Sequence, residues 1–178
     1  MNEQIIITRF IGIDPGVKSG LAIWDAKQGR ILYLKSLSFF QALHKLLTYS
    51  EECKRENINF AVIIENPKGN RPTFSHHQGD NSSRIHAKIS QDVGANKRDS
   101  ALLFEFCELH NFPAYQITPN KNSLTKLTAE QFRLRFGWDE GGDQHARDAA
   151  GLIIGYKPHA FRPPSFNRKA NQPQFLPG

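Results

Sequence analysis

The chain has 178 residues, of which 39% are hydrophobic and 22% charged, and its formal net charge is +6. This length is typical of one globular domain, and no stretch approaches the roughly 20 apolar residues of a membrane-spanning helix or the pattern of a signal peptide. Because Cys53 and Cys107 are far apart and match no metal-ligand spacing, we expect reduced thiols in a cytoplasmic protein that has no membrane partner.

The first part of the chain predicts three β-strands joined by short, glycine-containing turns. The strands are expected over residues 5–14, 21–25 and 31–36, and connections this short are typical of an antiparallel meander. The first strand ends at Asp14, directly before Pro15 and Gly16. An aspartate before Pro-Gly often does no more than open a turn, so two interpretations of Asp14 stay open: a turn residue or a ligand.

The rest of the domain predicts alternating helices and strands. A helix is followed by the apolar run 61–64, which ends at Glu65 as a buried strand would. The sequence Thr-Ala-Glu-Gln from Thr128 is a capping box, and Asp143 can cap the last helix. In chain order we expect a helix over 39–56, a strand over 61–65, a loop or broken helix over 67–93, a helix over 96–110, a strand over 114–118, and helices over 128–136 and 144–156. For the helix over 96–110, the residues expected to face the core are Leu102, Leu103, Phe106 and Leu109.

These elements predict an α/β fold with a mixed, five-stranded sheet flanked by helices. Right-handed crossovers make the fourth and fifth strands parallel to the first. The first and fourth strands can then be neighbours, which would place Asp14 and Glu65 at the same edge of the sheet. This is the edge at which α/β proteins place their sites.

The last predicted helix, QHARDAAGLIIG, carries two more possible ligands. His145 and Asp148 are three residues apart and share a helix face, and the small residues around them would allow close packing on the sheet. An isolated H-x-x-D pair is usually a solvated surface pair. Together with Asp14 and Glu65 it predicts a site for Mg²⁺ or Mn²⁺, since such ions prefer oxygen ligands. Two ions in such a site can hydrolyse a phosphodiester, whereas a purely structural role would require compensating cations that the sequence does not identify.

Positive charge is concentrated in the last part of the chain. Residues 157–178 contain four Lys or Arg residues, five prolines and no acid, and we expect this tail to be disordered. Two further basic patches, over 66–101 and 119–135, are either solvated faces or a nucleic-acid surface.

Three motifs in order, GIDPGVKSG, IIEN and HARDAAGL, resemble the RuvC-type Holliday junction resolvases of the RNase H-like superfamily. The resemblance covers roughly residues 5–156, and we take residues 1–156 as the nuclease domain. It implies that Asp14, Glu65 and Asp148 are catalytic metal ligands and that His145 stands where members have histidine or aspartate. It also implies a five-stranded mixed sheet with helices on both faces, magnesium dependence, and a homodimer in which each subunit nicks one strand of branched DNA.

The nucleic-acid-binding residues follow less directly from this resemblance. The family usually carries an aromatic residue soon after the glutamate. Here the first is Phe74, which either wedges bases or packs as an ordinary loop residue. Lys121 and Lys126 match basic residues that precede the last helix, although plain surface lysines remain an alternative. The segment VGANKRD predicts a loop and helix start at which backbone amides with Lys97 or Arg98 could meet phosphate.

Three other functions remain open. A nuclease of the same fold could act on an RNA precursor or on flap and fork DNA, and a related module could bind nucleic acid without cleaving it. An ATP-binding protein of the actin and sugar-kinase group opens with a similar hairpin but requires a far longer chain. The motifs favour junction cleavage among these.

Overall fold

The structure, a computed structural model, describes residues 5–66, 82–118 and 126–161, with the backbone alone over 82–93 and 160–161. Residues 67–81, which include Phe74, and 119–125, which include Lys121, lie outside the described residues. The elements in chain order are β1 (Ile5–Ile7), β2 (Arg9–Asp14), β3 (Ser19–Asp25), β4 (Arg30–Leu37), α1 (Phe39–Arg55), β5 (Phe60–Glu65), α2 (Ser82–Leu109), β6 (Ala114–Ile117), α3 (Ala129–Phe136), α4 (Gln144–Gly151) and β7 (His159–Phe161).

Five of the strands form one mixed sheet in the order β4-β3-β2-β5-β6. Strands β2, β3 and β4 are an antiparallel meander, whereas β5 runs parallel to β2 and β6 parallel to β5. The predicted α/β class, the meander and the central pairing of the first and fourth predicted strands are therefore confirmed.

Helices cover both faces of this sheet. Side chains alternate along each strand, and apolar side chains point to both faces, so each face needs a covering layer. Ile11 and Ile13 of β2 face the core layer that contains Leu46 of α1 and Leu103 of α2. Phe10, on the other face of β2, belongs to the layer formed with α3 and α4. This alternation decides which helices can reach the end of β2: Asp14 has the parity of Phe10 and lies on the α4 face.

Two glycines let α4 lie directly on the strands. A Cβ atom at Gly12 would overlap the carbonyl oxygen of Ala149, and one at Gly20 would overlap the carbonyl oxygen of His145. The buried small residues of α4, Ala146 among them, complete this close contact. The helix backbone thus packs against the sheet with no large side chain between them.

The predicted strand over 5–14 is wrong in one respect, because it breaks at Thr8. The amide groups of Thr8 and Arg9 both donate to the carbonyl oxygen of Asn59, and β1 leaves the main sheet. It pairs instead with β7, antiparallel, in a separate two-stranded sheet. The apolar run predicted extended backbone correctly but could not show which partner each half would choose. Residues His159–Phe161, near the start of the predicted tail, are consequently a strand, and residues 162–178 lie outside the described residues.

Helix α2 begins earlier than predicted. Residues 82–93, expected as loop or broken helix, are helical, and the helix runs through Gly94 without interruption. Its inward face follows Ser100, Leu103 and Cys107, so the expectation that Leu102 and Leu109 face the core is wrong: they are 37% and 77% exposed. A glycine in a helix costs only about 1 kcal/mol, which 28 residues of helix can absorb.

The predicted helix starts near the C-terminus are confirmed. Thr128 and Gln131 form the capping box of α3, and the side chain of Asp143 accepts from the backbone of Ala146 to cap α4. Helix α4 is shorter than predicted and ends at Gly151, followed by turns. Cys53 and Cys107 are both buried and free of disulfides. Within the described ranges, no helix combines the length and the apolar character that crossing a membrane requires.

Candidate active site

Asp14 and Glu65 leave the same edge of the sheet side by side. Ile13 and Ile64 are paired in the parallel register of β2 and β5, so the next residue on each strand is a carboxylate. Both carboxylates have the strand parity of the α4 face. The edge is the carboxyl end of two adjacent parallel strands, where α/β sheets place their ligands.

Helix α4 brings the other two candidate ligands to this edge. His145 Nδ1 lies 2.9 Å from Asp14 Oδ2, which links the start of α4 directly to the end of β2. Asp148, one helical turn later, is buried. The structure therefore brings the four candidate ligands to one edge, although Asp14 and Glu65 are 51 residues apart in the sequence and Asp148 lies a further 83 residues on.

Three hydrogen bonds hold the carboxylate of Asp148. Its Oδ1 accepts from the backbone amide of Lys126 at 2.7 Å and from Gln144 Nε2 at 2.7 Å. Its Oδ2 accepts from Lys126 Nζ at 2.6 Å. Lys126, predicted to contact nucleic acid, thus lies among the carboxylates themselves.

Burial and mutual repulsion disfavour the ionised forms of the carboxyl groups. Burial raises the pKa of Asp14, although its hydrogen bond to His145 acts in the opposite direction. Burial raises the pKa of Glu65 to about 7, and the charge of Asp14 and a hydrogen bond between the two carboxyl groups contribute. Without a further cation, therefore, Glu65 is about half protonated near neutral pH.

Lys126 supplies part of the missing positive charge. Burial alone would lower the pKa of Lys126, but its hydrogen bond to Asp148 and the charges of Asp148, Asp14 and Glu65 outweigh burial, so the pKa is raised. The lysine is the kind of compensating cation that a structural role for the carboxylates would require. The pKa of Glu65 nevertheless stays raised, chiefly by burial and then by the charge of Asp14, although the charge of Lys126 acts in the opposite direction.

The four candidate ligands line one edge of the sheet but do not surround a single preformed metal position. Within the described part of the chain, no three His, Cys, Asp or Glu side chains already converge as the ligands of a single metal ion. Both oxygens of Asp148 are occupied by donors from Lys126 and Gln144. An ion at Asp148 would compete with the ammonium group of Lys126 for the carboxylate.

Lys97 and Arg98 lie on the turn of α2 nearest the site. Asn96 of the same turn approaches Gly16 in the loop after Asp14, and Ser100 Oγ donates to the carbonyl oxygen of Glu65 at 2.9 Å. The expectation of a helix start here is wrong, because this turn is in the interior of α2 and its amides bond within the helix. The side chains of Lys97 and Arg98 remain candidates for contact with phosphate.

Sequence reasoning missed several supporting contacts. Gln116 Nε2 on β6 donates to Ser100 Oγ and to the carbonyl oxygen of Ser100, both at 3.2 Å, which joins α2 to β6 at the residue that also contacts the backbone of Glu65. Gln144 and Asp148 are four residues apart on α4, a spacing that could have indicated their hydrogen bond. The contact between Lys126 and Asp148 had no such signal, since it joins a loop to a helix.

Comparisons with known proteins gave matches among solved structures. No protein-family model matches the chain, and no curated protein does. The chain is similar to Thermus thermophilus RuvC in complex with a Holliday junction substrate, at 18% identity and a TM-score of 0.47, over 83% of this chain and 91% of that chain. It is similar to a second Thermus thermophilus RuvC structure at 18% identity and a TM-score of 0.45, over 82% and 91%. Both belong to the family that the motifs resemble, and function has to be inferred from the residues of this chain.

Proposed function

We propose that this chain is a divalent-metal-dependent endonuclease that nicks branched DNA, with the four-way Holliday junction as its preferred substrate. The observation that carries the proposal is the convergence of Asp14, Glu65 and Asp148, from three separate elements, on one sheet edge together with His145. Carboxylates are costly to bury and to bring together: burial first, and neighbouring carboxylates second, raise the pKa values of Asp14 and Glu65, and a bound cation would offset both effects.

The donor set fits Mg²⁺ or Mn²⁺. Asp14, Glu65, Asp148 and His145 would hold the metal, two ions per site, and their oxygen-rich chemistry suits these cations. When bound, the metal supplies an activated water and stabilises the leaving oxygen of the phosphodiester.

The side chains and helices around this edge have roles of their own in the proposed reaction. His145 orients Asp14 through the 2.9 Å contact, and Ser100 fixes the backbone of Glu65. Lys97 and Arg98 would bind phosphates of the strand that enters beside α2. Two such subunits, as a homodimer, would place one nick in each of two strands.

The proposal is tested by comparing substrates. Labelled Holliday junction, flap, linear duplex and RNA hairpin are incubated with the protein in Mg²⁺ or in a chelator, and single-turnover rates are measured. We expect the junction to be nicked fastest and every rate to vanish in the chelator. Cleavage that persists in the chelator would contradict the metal mechanism, and faster cleavage of RNA or flap DNA would reassign the substrate.

Metal binding is expected to weaken as the pH falls. Glu65, with a pKa of about 7 in the metal-free protein, is ionised above this pH and protonated below it. One proton that competes with the metal lowers the affinity about tenfold per pH unit below 7 and is released on binding. Calorimetric Mn²⁺ titrations in two buffers of different ionisation enthalpy would count this proton. Glu65→Gln is the control and should lose that part of the pH dependence. A wild-type Mn²⁺ affinity that does not change between about pH 6 and pH 8 would refute this role for Glu65.

A further inference from the structure

We propose that Lys126 is a built-in counter-ion: its ammonium group stands in for the metal at Asp148 and must be displaced when the metal binds. The inference rests on the proposed function, because it concerns the same carboxylates. It adds a competition between the ammonium group of Lys126 and the metal for the carboxylate of Asp148, which metal-dependent cleavage alone would not require.

Lys126 binds both oxygens of one buried carboxylate. The amide of Lys126 donates to Asp148 Oδ1 and its Nζ to Asp148 Oδ2, at 2.7 and 2.6 Å. The side chain of Asp148 is only 2% exposed, and it also accepts a hydrogen bond from the neutral amide of Gln144. A buried carboxylate needs a compensating charge, so the ammonium group satisfies in the metal-free protein what a metal satisfies in the loaded one.

The ammonium group is placed so that it can leave. The side chain of Lys126 is 78% exposed, and its four-carbon stem is flexible. Its backbone has a φ of 66°, in the left-handed region that is unfavourable for lysine and is held when the surroundings require it. The next residue, Leu127, is held against α4, because its carbonyl oxygen accepts a hydrogen bond from Arg147 Nε at 3.0 Å. The side chain can therefore swing out while the backbone hydrogen bond to Asp148 stays.

Metal and ammonium would compete for Asp148. A divalent ion held by this carboxylate would be a second cation beside Nζ, and two like charges on one carboxylate repel each other. Displacement turns the ammonium group toward solvent at the edge where the substrate would enter. Metal loading would then free a cation for a DNA phosphate, and binding of DNA would favour metal loading by the same factor.

Metal binding without DNA tests this inference. Mn²⁺ affinity is measured by calorimetry or electron paramagnetic resonance for the wild type, Lys126→Met, Lys126→Arg and Lys54→Met. Lys54 is the matched control, because its Nζ lies 2.7 Å from a carboxylate oxygen of Glu51 on α1, away from the site. We expect Lys126→Met to bind Mn²⁺ about tenfold more tightly, the equivalent of one charged hydrogen bond, and the other two variants to stay within about twofold of the wild type.

Thermal unfolding gives a second reading. Without metal, Lys126→Met should melt below the wild type, because Asp148 has lost its counter-ion, and saturating Mn²⁺ should remove this difference. Mn²⁺ affinity of Lys126→Met that equals or falls below that of the wild type would overturn the inference while leaving the metal site standing. A melting deficit that metal does not remove would overturn it too and make Lys126 a structural residue only. Absence of Mn²⁺ binding in every variant, the wild type included, would overturn both the inference and the proposed function.

Discussion

Asp14→Asn is expected to lower the rate of junction cleavage about a thousandfold or more. Asparagine keeps the size of the side chain and can still contact His145, but its neutral oxygen is a poor ligand for a divalent cation. Folding and junction affinity should stay near those of the wild type, because asparagine has the same size, Asp14 lies at the end of β2, and burial already disfavours its charged form. Single-turnover cleavage and junction binding, measured on the same preparation, separate the two effects.

His145→Asp is the matched control for this experiment. It keeps an oxygen ligand on the same turn of α4 and should retain substantial cleavage. Cleavage by Asp14→Asn at the wild-type rate would show that the carboxylate cluster is not the active site.

Gly20→Ala is expected to destabilise the protein by about 3 kcal/mol or more, at or beyond the upper end of ordinary overpacking. The added Cβ would overlap the backbone of His145, which cannot rotate away as a side chain could. Helix α4 must therefore move off β3, and with it His145 and Asp148. A displacement of about 1 Å at these ligands can lower activity a hundredfold.

Gly94→Ala is the control for this substitution. A Cβ at Gly94 meets nothing within 4 Å, and the residue lies inside α2, so alanine should leave stability unchanged or raise it by about 0.5–1 kcal/mol. Denaturant unfolding measures both variants. If Gly20→Ala were as stable as the wild type, the close packing of α4 on the sheet would be wrong.

Local signals predicted most of the main sheet and several helix ends. The capping box of Thr128 and the cap at Asp143 each involve residues three positions apart, so the sequence carries the whole interaction. The same type of signal, Ser38 with Gln41, begins α1 and is equally local in the sequence. Right-handed crossovers were enough to bring the ends of β2 and β5 together.

Long-range partners explain the errors. Whether the strand over 5–14 would break at Thr8 depended on Asn59 and on β7, neither of which leaves a trace in the apolar pattern. At the candidate site, the meeting of Asp14 with Glu65 followed from topology. The contact of Lys126 with Asp148 instead depends on a left-handed lysine, a conformation that no local rule would assign to this residue.

The assembly of the site from β2, β5 and α4 also sets the order in which the chain can acquire its chemistry. Asp148 lies near the end of the domain. Helix α4 packs across β2, β3 and β4, so the surface on which it docks exists only once those strands are paired. When only about the first 140 residues have left the ribosome, the sheet edge can carry Asp14 and Glu65 but still lacks Asp148. Under the proposed function, the chain would be inactive toward nucleic acid until α4 docks, and a local opening that detaches α4 would abolish the activity again.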